Sequence, residues 1–262
     1  MIADIPGARI WYEDTGGSGP PVVLLHARTG CAAMWRGQLA AFSAAGYRCI
    51  AYDRRQSGRT EVAPGSPPAL PADDLLALLE RLSVARCHVI GTAAGGIVAL
   101  DFALSHPERV LSLVFANSVG SAEIKQEPEY IRAAAQRRPL DELPPEIREL
   151  GDWYRRHDPA GVREWLEMGR ETRAKKPPFP STRTRITLAR LADLRMPVLL
   201  ITGDIDPYTP PAVLEVFHRR IPHASAIVIP DSGHSAFWEQ PARFEQAVLE
   251  FLAQNARNAP PT

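Results

Sequence analysis

A chain of 262 residues, 45% hydrophobic and 23% charged, has the composition of one globular domain with room for a small insertion. Its 30 Lys and Arg balance its 30 Asp and Glu, which argues against a general nucleic-acid binder and against electrostatic attachment to an anionic membrane. Cys31, Cys49 and Cys87 form no CxxC pair, so no disulfide framework or zinc site is expected, and a reducing cytoplasm is the natural setting.

The first residues do not follow the basic-then-apolar pattern of a signal peptide, and no apolar run approaches the length of a membrane span. No internal repeat is visible. Lys occurs only at Lys125, Lys175 and Lys176, and the surplus of Arg, Ala and Pro is read as the bias of a GC-rich bacterial genome, not as function.

In chain order, Ala8 to Glu13 reads as a strand followed by a turn at Gly16–Pro20. Pro21 to His26 is a continuous apolar run, as expected of a strand covered on both faces. A loop, 27–33, leads to a helix over 34–45 with Gly46 as its cap. Tyr47 to Asp53 is the next buried strand. Pro71 opens a helix with Asp73 and Asp74 in its first turn and Leu75, Leu78, Leu79 and Leu82 on one face. A strand from His88 runs into a helix that Pro107 ends, and Val110 to Ala116 is another strand.

The strand–helix alternation stops over 118–190, where helices are expected near 127–138, 145–156 and 160–175 and no strand is evident. This stretch reads as a helical cap insertion, with Trp153, Tyr154, Trp165, Met168 and Phe179 on its underside. Alternation resumes with strands at 197–202 and 224–229 and helices at 211–220 and 241–253, and 255–262 is a polar, Pro-rich tail expected to fray. The fold class is α/β: a mostly parallel sheet with helices on both faces, the core being 1–117 and 191–254.

The strand-to-helix junction reads Gly91-Thr92-Ala93-Ala94-Gly95-Gly96. Small residues there allow a turn too tight for larger side chains, and the pattern is that of a nucleophile elbow, G-x-S-x-G, with Ala93 at the nucleophile position. Two further segments follow strands: Gly203-Asp204-Ile205-Asp206-Pro207 and Asp231-Ser232-Gly233-His234. Loops at the C-terminal ends of parallel strands converge, so elbow, acid and histidine are expected at one site.

With these segments the chain resembles the α/β-hydrolase fold family over essentially its full length. Glu239-Gln240-Pro241 after the histidine belongs to the resemblance. So does Asp53-Arg54-Arg55-Gln56-Ser57-Gly58-Arg59, where Gln56 replaces a usual Gly. His26-Ala27-Arg28-Thr29-Gly30 resembles the oxyanion loop, with a His-Ala start also found in enol-lactonase-like members. The resemblance implies His234 as general base, Asp206 as its orienting carboxylate, and the amides of Arg28 and Ala94 as the oxyanion hole.

Asp204 competes with Asp206 and is read as a turn residue, and His26 as structural. Asp53, Arg54 and Arg55 are read as stabilising their own loop. Trp35, Trp153, Trp165 and Trp238 are the aromatic candidates for substrate contact; for Trp153 and Trp165, in the insertion, packing against its helices is the alternative. The implied function is acyl transfer to water from a small-molecule ester, lactone or related acyl compound, with C–C bond hydrolysis sharing the same triad. It calls for no metal, nucleotide or organic cofactor.

Ala93 admits two readings. In one, only the serine hydroxyl has been cut from an otherwise intact, now inactive, hydrolase. In the other, the chain is a natural homologue that binds ligand without turnover, or a lyase or cofactor-free oxygenase using His234 as base. The first is favoured because Gly would relieve a strained φ that Ala retains.

Overall fold

The computed structural model describes residues 1–135, 140, 142–175 and 177–257. Its centre is a nine-stranded sheet. The strands are β1 (Ile2–Ile5), β2 (Ala8–Asp14), β3 (Pro21–Leu25), β4 (Arg48–Tyr52), β5 (Glu61–Val62), β6 (Cys87–Thr92), β7 (Val110–Ala116), β8 (Val198–Gly203) and β9 (Ser225–Ile229). Their order is β1-β2-β4-β3-β6-β7-β8-β9, with β5 paired to β2. The pairs from β4 through β9 are parallel, whereas β1 and β4 flank β2 antiparallel.

Side-chain alternation along each strand assigns residues to two cores. Val23, Leu25, Ile50, Tyr52, Leu113 and Phe115 enter one, and Val22, Leu24, Cys49, Ala51, Val114 and Ala116 the other. The first is covered by α2 (Pro71–Arg81), α3 (Ala94–Ser105) and α8 (Pro211–Arg220), through residues such as Leu75, Leu100 and Phe217. The second is covered by α1 (Arg36–Ala44) and α10 (Pro241–Arg257), through Leu39, Phe42, Phe244 and Phe251. Both faces of the central strands are therefore dry, which is why they read as continuous apolar runs. α3 is buried from Ala94 through Ala103, consistent with its lack of a polar face.

Between β7 and β8 the described residues hold no strand but four α-helices, α4 (Pro128–Ala133), α5 (Pro145–Glu149), α6 (Asp152–His157) and α7 (Pro159–Lys175), and two short 3-10 helices. The expected helix at 127–138 is shorter, ending at Ala133; positions 136–138 lie outside the described residues. The expected 145–156 helix is two helices broken between Glu149 and Asp152. The final helix continues to Arg257, into the segment expected to fray; 258–262 lie outside the described residues. A short helix, α9 (Ala236–Glu239), precedes it.

No helix among the described residues is long and apolar enough to cross a membrane. All three cysteines are free and buried. Burial pushes the Cys49 and Cys87 thiols up to about 12, away from any reactive thiolate.

Candidate active site

β6 passes into α3 with no intervening loop, and the steric consequences explain the sequence there. A Cβ on Gly91 would lie 2.4 Å from the Gly95 carbonyl oxygen, and one on Gly95 would lie 2.1 Å from that of Leu25. Only Gly permits this approach of strand and helix.

Ala93, the residue before the helix, has φ +50° and ψ −116°. A side chain there strains the backbone by about 1–3 kcal/mol. The conformation is held from both sides: the Ala93 N–H donates to the Ala116 carbonyl at 3.0 Å, and the Ser118 hydroxyl donates to the Ala93 carbonyl at 2.6 Å. The Ala94 amide that follows is among the first N–H groups of α3, which have no acceptor within the helix.

Ala93 and Ala94 line a cavity of about 320 Å³ together with Arg28 and His234. His234 follows β9, and its amide donates to the Glu149 carbonyl at 2.9 Å, which fastens the loop to the 118–190 segment. Its Nδ1 lies 3.0 Å from Oδ1 and 2.9 Å from Oδ2 of Asp206. Asp206, not Asp204, is thus the imidazole's partner; Asp204 instead accepts the Ser232 amide at 3.1 Å as a turn residue.

Asp206 is buried and fully engaged. Oδ1 also accepts the amides of Tyr208 at 2.7 Å and Thr209 at 3.0 Å, and Oδ2 accepts Asn117 Nδ2 at 2.9 Å and the Thr209 hydroxyl. Burial alone would raise its pKa, but the imidazole's charge and these hydrogen bonds outweigh burial and hold the carboxyl well below the usual range. For His234 burial works downward, and the Asp206 charge and hydrogen bond more than offset it, raising the imidazole above its ordinary 6.5. With Nδ1–H committed to Asp206, Nε2 is the nitrogen left to act as a base. The Tyr208 ring packs on the imidazole at 4.4 Å.

Several cavity residues were not singled out as site candidates from the sequence, among them Asn117, Lys125 and Arg148. Asn117, at φ +48°, bridges Asp206 and the Gly233 carbonyl. An Asn directly after a strand is the available signal, since Asn tolerates the left-handed region. Lys125 and Arg148 join Arg28 in making the rim cationic, with Glu149 as the acidic neighbour. Nothing in their spacing marks them, because they arrive from the helical segment.

The four tryptophans are a correction: none lines this cavity. Trp35 is fully buried in the core beneath α1, 4.3 Å from Phe237 and 6.3 Å from Phe244 between ring centroids. Trp165 is buried under the Arg173 guanidinium, Trp153 stacks on His157 at 4.2 Å on the surface, and Trp238 meets Arg36. Each is taken by packing within or between helices. Phe179 does reach the cavity.

The side chains of His26 and Asp53 are both occupied by backbone groups. His26 donates from Nδ1 to the Ala27 carbonyl at 2.7 Å and accepts the Arg54 amide on Nε2 at 3.1 Å. Asp53 accepts the amides of Ala32 at 2.7 Å and Arg59 at 2.8 Å. No cluster of three His, Cys, Asp or Glu side chains suited to a metal occurs among the described residues.

Comparison with known proteins places the chain at the level of family. A Mycobacterium tuberculosis protein that carries a non-heme bromoperoxidase name is 31% identical over 257 residues, 92% of this chain and 97% of its own. A 2-hydroxy-6-oxononadienedioate/2-hydroxy-6-oxononatrienedioate hydrolase of Burkholderia vietnamiensis is 30% identical over 274 residues, covering 96% of this chain and 93% of that enzyme. The solved structure of a thermophilic esterase from Thermogutta terrifontis is similar with a TM-score of 0.77 at 28% identity, over 97% of this chain and 99% of the esterase. Residues 22–247 match the alpha/beta hydrolase family, and the chain belongs to it.

Proposed function

We propose that the serine-bearing form of this chain hydrolyses a carboxylic ester, lactone or related acyl compound, and that Ala93 marks a chain from which only the nucleophilic hydroxyl has been cut. The observation that carries the reading is the pairing of a strained Ala93 backbone with an engaged His234–Asp206 couple on one cavity. Strain at φ +50° serves to project a side chain, yet the side chain is a methyl group.

With serine at 93, His234 would take its proton as the oxygen attacks the carbonyl. The tetrahedral oxyanion would be met by the amides of Ala94 and Arg28. The imidazolium, stabilised by Asp206, would then protonate the leaving group, and water would release the acyl group by the same path in reverse. The 118–190 segment is read as the cap over this cavity. The esterase and dienedioate hydrolase relatives support ester and C–C bond chemistry alike.

The test compares the present chain with Ala93→Ser and with Ala93→Ser/His234→Ala on p-nitrophenyl acetate. The serine form is expected to exceed the other two by on the order of 10³-fold or more. A serine form no faster than buffer overturns the reading. In that case His234→Ala in the present chain becomes decisive: an activity lost with the imidazole identifies a base-catalysed reaction that needs no nucleophile.

A further inference from the structure

A second cavity, of about 290 Å³, lies where the loop after β4 meets the segment after α7, and it shares only Phe179 with the Ala93 cavity. Its walls are largely apolar, with Pro67 and Pro68 from one loop and Pro177 and Pro178 from the other. Its polar residues are unusual. Arg54 is 8% exposed and Tyr52 1% exposed, and both line the cavity.

Among the described residues the Arg54 side chain has one hydrogen bond, from Nη2 to the Ala27 carbonyl at 3.0 Å, and its Nε has no partner. The Tyr52 hydroxyl has none either. The one acid in the cavity wall, Asp74, is already taken by Arg55 at 2.7 and 2.9 Å. Arg54 is therefore a buried guanidinium with no counter-charge, and burial pulls it down to about 10. An unpaired buried charge is among the costlier features a fold can keep.

We propose that this cavity binds a small carboxylate with an apolar body, its carboxylate on Arg54 and Tyr52 and its body among the prolines. Both unpartnered groups can donate, which suits a ligand rich in acceptors. A guanidinium fork matches a carboxylate, and Arg54 is the cation of this cavity's wall that no acid already pairs. Arg54 also holds the Ala27 carbonyl, which accepts the Gly30 amide at 3.1 Å and His26 Nδ1 at 2.7 Å. A ligand on Arg54 would thus bear on the loop that supplies the Arg28 amide. The inference does not depend on what residue 93 carries.

Benzoate and its neutral analogue benzamide test it by isothermal titration calorimetry on the chain as it stands. Benzoate is expected to bind saturably at one site, and benzamide at least tenfold more weakly. Arg54→Met should abolish benzoate binding, and Tyr52→Phe should weaken it several-fold. Because Arg54→Met also frees the Ala27 carbonyl, Ala69→Phe, which fills the cavity from its wall and keeps Arg54, should abolish binding independently in a protein with unchanged circular dichroism. Lys125→Met/Arg148→Met, on the other cavity, should leave benzoate binding as it was. Equal binding of benzamide, binding that survives Ala69→Phe, or binding lost in the Lys125/Arg148 variant would each overturn the proposal.

Discussion

The Oε2 oxygen of Glu239 accepts the Gly151 amide at 2.6 Å, joining the helical segment between β7 and β8 to the His234 loop through one buried carboxylate. The same oxygen accepts the Gly233 amide at 2.9 Å, and Oε1 accepts that of Ser235 at 3.0 Å, so the amides on both sides of His234 are fixed by it. Glu239→Gln places an amide N–H₂ against donors on one side. Leaving them unsatisfied is expected to cost about 1–3 kcal/mol in urea denaturation.

The same carboxyl predicts the direction of a pH effect. Burial raises it from 4.5 to about 7, against the three amide hydrogen bonds that favour its charged form. A group raised in the folded state binds more protons there than in the unfolded chain between those values, so its contribution to stability falls as pH rises from about 4.5 to about 7. Glu239→Gln should therefore lose less relative to the parent at pH 8 than at pH 5, which denaturation at the two pH values would measure. An equal loss at both would contradict the assignment.

The His234–Asp206 couple titrates the two partners in opposite directions. His234 is raised above 6.5, so its share of stability is complete below that value and is lost as pH rises through the raised one. Asp206 is lowered, so its share is present above its ordinary 3.8 and is lost as pH falls through the lower value. In Asp206→Asn the imidazole keeps its burial and loses the charge that offsets it. Its pKa is expected to fall, read directly from the His234 imidazole resonances in an NMR titration; an unchanged value would remove Asp206 as the cause.

The two glycines Gly95 and Gly16 separate space from conformation. A Cβ on Gly95 would meet the Leu25 carbonyl oxygen at 2.1 Å and that of His26 at 2.7 Å, both backbone atoms at the C-terminal end of β3. Gly95→Ala is expected to prevent folding or to lower the melting temperature by many degrees. Gly16, at φ +68° with nothing within 4 Å, should cost about 1–2 kcal/mol as Ala, from backbone strain alone. Similar losses for the two would mean that the strand and helix do not approach this closely.

Much of the fold was legible because its signals are local. β3, β4, β6, β7 and β8 are dry on both faces and read as apolar runs. β1 and β5 were missed for the opposite reason: β1 has four residues alternating between exposed and buried, and β5 only two, both exposed. At the site, the elbow, Asp206 and His234 each sit in the turn or loop that follows a strand, where motif and topology coincide. Lys125 and Arg148 reach the cavity only through the path of the helical segment, which no period encodes. The tryptophans show the converse limit: aromatic character marks burial but not which cavity or core receives the ring, and Trp35 faces Phe237 and Phe244 instead of the site.

Residue 93 offers a test that needs no substrate. At φ +50°, ψ −116° a Cβ is strained by about 1–3 kcal/mol. Removing it also frees the unfolded chain, which costs about 0.4–1 kcal/mol in return. Ala93→Gly is therefore expected to be more stable than the present chain by about 1 kcal/mol, and Ala93→Ser close to it, since serine adds only a hydroxyl facing the cavity. Parallel denaturation of the three chains would measure the order. A glycine form less stable than the alanine form would mean the elbow is not strained here, and would remove the physical ground for treating Ala93 as a truncated nucleophile.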